Sequence, residues 1–368
     1  MSATKSNPAN RSPVPALPLP LASLASRLYA LAINRRNHAF DRSRNVTRLD
    51  IPVISVGNLS VGGTGKTPAV ERIVRTLAAA GHRPCVAMRG YRSVEGKSDE
   101  AEQYRATFRD LSNLKNFPDI PIVAQPDRIA GIRRLTQTRA ASSLPPIDAI
   151  VLDDGFQHRK LARDLDLVLI DATRDPFEDH LLPRGWLREP ISSLARAHAI
   201  IITRADLIPQ RRLDALHAAI AHAAPKALIA QSSHRWIGLD LLNVGTELDE
   251  PVDWLKGKRL VACCAIGNPG AFLQQIANAC GTAPVEALIL RDHDPFTPAT
   301  VRTLINLATS SRADAIITTQ KDWTKLSTHP PGQWPCPVVR PVLDMVWLTG
   351  GEALEALLLQ AVAPRRTP

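Results

Sequence analysis

The sequence predicts an α/β protein, and three observations predict it. Short, continuously apolar runs alternate with segments of helical period, the pattern of a parallel sheet covered on both faces. A strand, a glycine-rich loop and a Lys-Thr pair opening a helix follow one another over Ile51–Gly81. At 368 residues the chain is long for one compact core, and a strand–helix pattern restarts near residue 258. Together these give a P-loop NTPase-like α/β/α sandwich with a second, smaller α/β domain joined by a β-ribbon linker.

Residues 1–20 are rich in Ser, Pro and Asn and read as a poorly ordered tail. Leu21, Leu24, Leu28 and Leu31 then share one helical stripe, with Arg27, Arg35, Arg36, Arg42 and Arg44 elsewhere or just beyond. Two readings stand side by side: an amphipathic helix on an anionic membrane surface, or a helix whose leucines pack on the domain. Prolines and Arg27 interrupt the apolar region, which argues against a secretory signal.

Ile51–Val56 reads as a buried strand and Gly57–Gly65 as a glycine-rich turn. Pro68 suits a first helical turn, where a missing N–H costs nothing. Ala69, Val70, Ile73, Val74 and Leu77 keep one helical face, and Gly81 caps it. Such a unit cradles phosphate. The amides of Ser60, Val61, Gly62, Gly63, Thr64 and Gly65 and the helix dipole face an anion, Lys66 reaches the terminal phosphates, and the Thr67 hydroxyl ligates Mg²⁺. Ser60 stands where the strict G-x-x-x-x-G-K-[ST] pattern has Gly; Gly62 and Gly63 supply the tight backbone instead.

Downstream, Arg83–Met88 is a second strand, followed by a polar loop leading into a helix and carrying Asp99 and Glu100. A carboxylate there can accept a proton from an attacking hydroxyl or bind the metal, but an acidic pair equally just starts a helix. Pro121–Gln125 is a short strand and Asp127–Thr138 a helix. The apolar run Ile147–Leu152 ends in Asp153-Asp154, the place for a Mg²⁺-holding carboxylate. Neighbours at a strand end point to opposite faces, so one of the two faces the metal. Leu165–Ala172 and His198–Asp206 are further buried strands. Between them, Leu181–Pro190 carries Arg184, Arg188 and Glu189, and reads as a loop that touches an amphiphilic phosphorylated acceptor or as an ordinary Pro/Gly loop. Thr203–Asp206 loosely resembles the N-K-x-D base-reading loop of GTPases but lacks its Asn and Lys.

The first domain thus covers 21–228, a linker 229–257, a smaller domain 258–336, and a returning strand and helix 337–368. His293 follows a strand of the smaller domain; a lone histidine is commonly a structural hydrogen-bonder, yet its ionisation near neutrality suits it to orient a carboxylate base.

Forty-five Lys and Arg against 35 Asp and Glu give a net charge of +10, which favours anionic partners. Aromatics at 4% weaken any base-stacking model of single-strand binding. Five cysteines without a C-x-x-C pair argue against a disulfide framework or a structural zinc and for a reducing cytoplasm. No apolar run of about 18 residues is present to span a bilayer as a helix.

GNLSVGGTGKTP (Gly57–Pro68), RGY (Arg89–Tyr91), SDE (Ser98–Glu100), LDDGFQHRKL (Leu152–Leu161), LLPRGWLREP (Leu181–Pro190), DHD (Asp292–Asp294) and TQKDWTKL (Thr319–Leu326) occur in this order. Together they resemble the tetraacyldisaccharide 4′-kinase family of bacterial lipid A biosynthesis, over roughly residues 20–345. The resemblance implies ATP- and Mg²⁺-dependent phosphorylation of the 4′-hydroxyl of a tetraacylated glucosamine disaccharide 1-phosphate. It also implies peripheral attachment at the cytoplasmic face of the inner membrane through an N-terminal amphipathic helix, and no nucleic-acid partner. By motif it makes Asp99 the catalytic base, His293 its partner, Lys66 a phosphate ligand and Thr67, Glu100, Asp153 and Asp154 metal-site residues. Arg188 and Glu189 fall near the acceptor. Three positions depart from the family pattern: Ala101 stands where Pro is usual, Asp294 where a second His is common, and Trp186 in place of a smaller residue.

Two other classes of function compete. One is a regulatory or metallochaperone-type P-loop GTPase acting on a protein partner, which the missing N-K-x-D opposes. The other is a nucleic-acid-binding ATPase, suggested by charge alone.

Overall fold

The protein is described here by a computed structural model covering residues 18–42, 46–90, 99–112, 119–243, 246–291 and 294–363. The chain runs α1 (Leu19–Asp41), β1 (Val53–Asn58), α2 (Lys66–Ala79), β2 (Pro84–Met88), α3 (Asp99–Ser112), β3 (Ile122–Ala124) and α4 (Arg128–Ala141). There follow β4 (Ala149–Asp153), β5 (Leu165–Asp171), β6 (Ala199–Thr203), α5 (Gln210–Ala223), β7 (Leu228–Asn243), β8 (Thr246–Glu250), β9 (Leu260–Cys264) and α6 (Pro269–Cys280). The last elements are β10 (Glu286–Ile289), α7 (Pro298–Ser310), β11 (Ala315–Thr318), α8 (Gln320–Leu326), β12 (Val338–Thr349) and α9 (Gly351–Val362).

Two compact units result among the described residues: 18–233 with 345–363, and 234–344. In the larger unit the strands lie in the order β7-β6-β5-β1-β4-β2-β3, each pair parallel. β1, β4, β5 and β6 are buried along their whole length, as strands covered on both faces must be. Successive side chains feed opposite layers. Leu165, Leu167 and Leu169 join the layer holding α2, α3 and α9, while Val168 and Ile170 join the layer under α5. β1 lies between β4 and β5, so neighbouring crossovers leave in opposite directions at its C-terminal tip. In an open α/β sheet such a reversal opens the crevice where ligands bind.

In the smaller unit β10-β9-β11-β12 form a parallel set, and β7 with β8 makes an antiparallel hairpin. The division between units differs from the 229–257 linker and the 258–336 and 337–368 boundaries read from sequence. It falls inside β7 and inside β12, because each is one long strand running from one unit into the other. An uninterrupted strand carries no turn residue or change of period to mark such a border. β10 lies at the edge of its set, and three of its four side chains are exposed. Among the described residues no helix is long and apolar enough to cross a membrane.

Candidate active site

The site is assembled at the C-terminal tips of β1, β4, β5 and β6. β1 ends at Asn58, and the chain turns through Gly62 (φ +111°) and Gly65 (φ +84°), left-handed conformations that glycine adopts without strain. Gly65 is the N-cap of α2 and supplies no capping side chain, so the first amides of that helix have no side-chain acceptor from their own cap. Lys66 follows directly. Its ammonium donates to Asn58 Oδ1 at 3.3 Å and lies 3.8 Å from Asp154.

The tips of β1 and β4 are pressed together. A Cβ on Gly57 would fall 2.5 Å from Phe156 Cβ, and one on Gly155 would fall 2.6 Å from Ser55 Oγ. This contact explains glycines on both sides and brings the acidic pair beside the glycine-rich loop.

Asp153 and Asp154 have opposite environments. Asp154, at φ +51°, receives two hydrogen bonds from the Arg188 guanidinium, at 2.8 and 2.7 Å. Burial by itself would raise its carboxyl; the Arg188 fork outweighs that, with help from Lys66 and Arg128, and holds it well below the usual carboxylate range. Asp153 is buried in the sheet, accepts from the Tyr104 hydroxyl at 3.1 Å, and keeps Oδ1 without a hydrogen-bond partner. Burial pushes this carboxyl up, against the pull of Lys66. Tyr104 comes from α3, and its phenol is itself raised by burial, with a hydrogen bond from the side chain of Thr67 acting the other way.

The Leu181–Pro190 segment proves to be a wall of the same site. Val61 N–H donates to the Trp186 carbonyl at 2.8 Å, and Arg188 N–H to the Leu59 carbonyl at 2.7 Å. This pairing aims the Arg188 side chain at Asp154 and Asn58. Arg188 is therefore turned into the site. Glu189 points the opposite way and is 0% exposed. It accepts from Arg36 at 3.2 Å, Asn37 at 3.1 Å and Arg196 at 2.9 Å. The acceptor contact expected of Glu189 is thus corrected: a carboxylate sealed by three donors is a bolt between α1 and the loop.

Tyr29 and Ser26 of α1 add hydrogen bonds to the carbonyls of Arg188 and Leu181, at 2.9 and 2.8 Å. The opposite side of α1 carries Leu21, Leu24, Leu28 and Leu31, each more than half exposed. The reading in which these leucines pack on the domain is corrected: what packs there is Ala22, Ile33 and Asn37.

Asp99 and Glu100 begin α3, but the structure describes only their backbone, and His293 lies outside the described residues. Among the described residues no group of three His, Cys, Asp or Glu side chains converges to hold a metal. The donor pair that fits Mg²⁺ is a hydroxyl and a carboxylate: Thr67, beside Tyr104, and Asp153, whose buried Oδ1 is orphaned. Asp154 fits less well, both its oxygens being held by Arg188. Sequence reasoning missed Asn58, Tyr104 and Arg128. The last donates to the Asp154 carbonyl at 3.3 Å; Asn58 lies within the Gly57–Pro68 motif, whereas neither Tyr104 nor Arg128 sits in a pattern that announces it.

A profile of the family described as Tetraacyldisaccharide-1-P 4'-kinase matches residues 19–363. The chain belongs to this family. The tetraacyldisaccharide 4'-kinase of Halothermothrix orenii is 32% identical over 319 residues, covering 83% of each chain. That of Geobacter metallireducens is 36% identical over 315 residues, covering 84% of this chain and 89% of its own. Among solved structures, the "apo" form of LpxK from Aquifex aeolicus in complex with ATP superposes with a TM-score of 0.63 at 27% identity, over 92% of this chain and 97% of that one. The tetraacyldisaccharide 4'-kinase fold is thus a P-loop kinase fold with a mostly parallel sheet, as the β1–α2 unit predicted. Family membership makes the chain a kinase and leaves the regulatory GTPase reading without support.

Proposed function

We propose that this kinase transfers the γ-phosphoryl group of ATP to the 4′-hydroxyl of tetraacyldisaccharide 1-phosphate, in lipid A biosynthesis. The observation that carries the reading is the start of α2: a 14-residue helix whose N-cap is a left-handed glycine without a capping side chain, followed at once by a lysine. Helix dipole, amides and ammonium together suit a polyphosphate.

In this reading the amides of Ser60–Thr67 and the Lys66 ammonium hold the β- and γ-phosphates. Thr67 and Asp153 would hold Mg²⁺, with Glu100 as a further candidate; when bound, the ion neutralises charge on the phosphates. Arg188 keeps Asp154 ionised and fixed, so Lys66 stands between a fixed anion and the incoming phosphate. Asp99, oriented by His293, takes the proton of the sugar hydroxyl. Catalysis is then mainly positioning and charge compensation.

The exposed leucines of α1, with arginines nearby, suit the surface of an anionic bilayer, and we place the enzyme peripherally at the cytoplasmic face of the inner membrane. The glycolipid keeps its acyl chains in or near that bilayer, and nucleic acid plays no part. The test is radiolabelled ATP with the disaccharide 1-phosphate lipid. A doubly phosphorylated lipid is expected; GTP-selective hydrolysis indifferent to the lipid would overturn the reading.

A further inference from the structure

The tip of β6 is tied to the glycine-rich loop by side chains to which neither the motif nor the mechanism above gives a task. Thr203 is fully buried, and its hydroxyl donates to the Thr64 carbonyl at 3.0 Å. Arg204, the next residue, is left-handed at φ +54°, a conformation uncommon for a non-glycine residue. From there a single guanidinium nitrogen of Arg204 donates both to the Gly63 carbonyl, at 3.1 Å, and to the Asp171 carboxylate. Asp171 is itself buried at the tip of β5, and its other oxygen accepts from the Thr173 amide and hydroxyl at 3.0 and 2.7 Å. Two consecutive carbonyls of the loop, Gly63 and Thr64, are thereby held from the side facing β6.

The consequence is geometric. A peptide plane is rigid, so fixing the carbonyls of Gly63 and Thr64 also fixes the N–H groups of Thr64 and Gly65, which point the opposite way. Those amides belong to the set that faces the phosphates in the function proposed above. Glycines at 62 and 65 leave the loop otherwise free to rotate, and ordering it on binding would cost affinity. We propose that Thr203 and Arg204, with Asp171 behind them, are positioning residues that hold the loop amides in their phosphate-binding orientation before ATP arrives. The inference rests on the reading of this loop as the ATP site.

The test is direct titration of the full-length protein with ATP, beside steady-state kinetics for both substrates. Removing the charged donor in Arg204→Met is expected to raise the ATP Kd about tenfold, the value of a hydrogen bond to a charged group. The isosteric Thr203→Val, which loses a single neutral bond, should raise it about threefold. Arg204→Lys, whose ammonium can serve both acceptors, should recover most of the loss. Throughout, the KM for the glycolipid should hold; the thermal midpoint should hold in Thr203→Val and Arg204→Lys and fall in Arg204→Met, which leaves the buried Asp171 without its cation. If Arg204→Met fails to fold, Thr203→Val and Arg204→Lys carry the test. Parental ATP affinity in the folded variants, or equal rises in ATP Kd and glycolipid KM with a falling midpoint, would overturn the proposal. Lys66→Ala is the control: if it binds ATP like the parent, the loop is not the nucleotide site and both readings fall. Loss of binding there with none in the β6 variants would sink the positioning role alone.

Discussion

Helix α2 of the larger unit begins differently from the helices of the smaller one, and from α4, which Asp127 caps. In the smaller unit α6, α7 and α8 are capped by Asn268, Thr297 and Thr319, whose side chains accept from the amides of Ala271, Thr300 and Asp322. In the larger unit α2 starts from a glycine with no side chain to offer. A buried carboxylate lies beside each kind of start. Asp322, in the smaller unit, accepts through one oxygen from the Ala265 amide and the Thr319 hydroxyl, at 3.0 and 2.7 Å, and staples a helix start to a neighbouring loop, while its Oδ1 keeps no hydrogen-bond partner. Asp153, in the larger unit, takes one bond from Tyr104 and keeps an oxygen in reserve. The helix starts of the smaller unit are therefore closed by their own side chains, and the start of α2 is left open. Polar groups answered within the chain should act on stability, and groups left for a ligand on activity.

Substitutions can break or sharpen that contrast. The largest effect is expected at Lys66→Ala, which should bring phosphoryl transfer to background while the thermal midpoint barely moves; a folded variant that still phosphorylates the lipid would break the contrast outright. Asp99→Ala should lower kcat on the order of 10²–10⁴-fold, as for a lost general base, with ATP binding little changed. Near-normal turnover would remove Asp99 from that role. On the closed side, Glu189→Gln leaves two arginines around a buried neutral amide. It should cost about 3 kcal/mol, the low end for a broken buried pair, because Arg36 and Arg196 can partly rehydrate. Denaturant unfolding reads this directly, and an unchanged midpoint would mean that α1 is held some other way.

Asn268→Ala should cost about 1 kcal/mol for a lost N-cap and leave ATP affinity alone. The smallest effect concerns pH. Burial, with Arg128 and Arg163 nearby, lowers His158 from 6.5 to about 4. The unfolded chain therefore binds this proton more readily than the folded one. Its stabilising share is complete above 6.5 and is lost as pH falls toward 4. His158→Gln should flatten the stability profile across that window, and an equally steep profile would assign the acid sensitivity to other groups.

How much of this was legible from residues alone depends on how local each cause is. The β1–α2 unit is written in consecutive positions, so Gly57–Thr67 could be read directly. Strand tips were legible too, since Asp153-Asp154 ends an apolar run. What each aspartate does was not, because it is decided by Tyr104 and Arg188, 49 and 34 positions away. Arg188 and Glu189 were placed together near the acceptor; one side chain goes to the site and the other to α1, a division fixed by distant partners. The residues at which one unit gives way to the other were not legible for the reverse reason, since β7 and β12 continue straight through them. For α1 the leucine stripe was plain, but a stripe does not say whether protein or membrane covers it, and the exposed leucines leave the membrane as the proposed partner.

The most direct test of the open helix start is the position of bound nucleotide. With ATP and Mg²⁺ soaked into crystals, the β- and γ-phosphates are expected on the amides of residues 62–67 and on the Lys66 ammonium, the ion on Thr67 and Asp153, and Asp154 still clasped by Arg188. Nucleotide bound elsewhere while those amides face only solvent would contradict it.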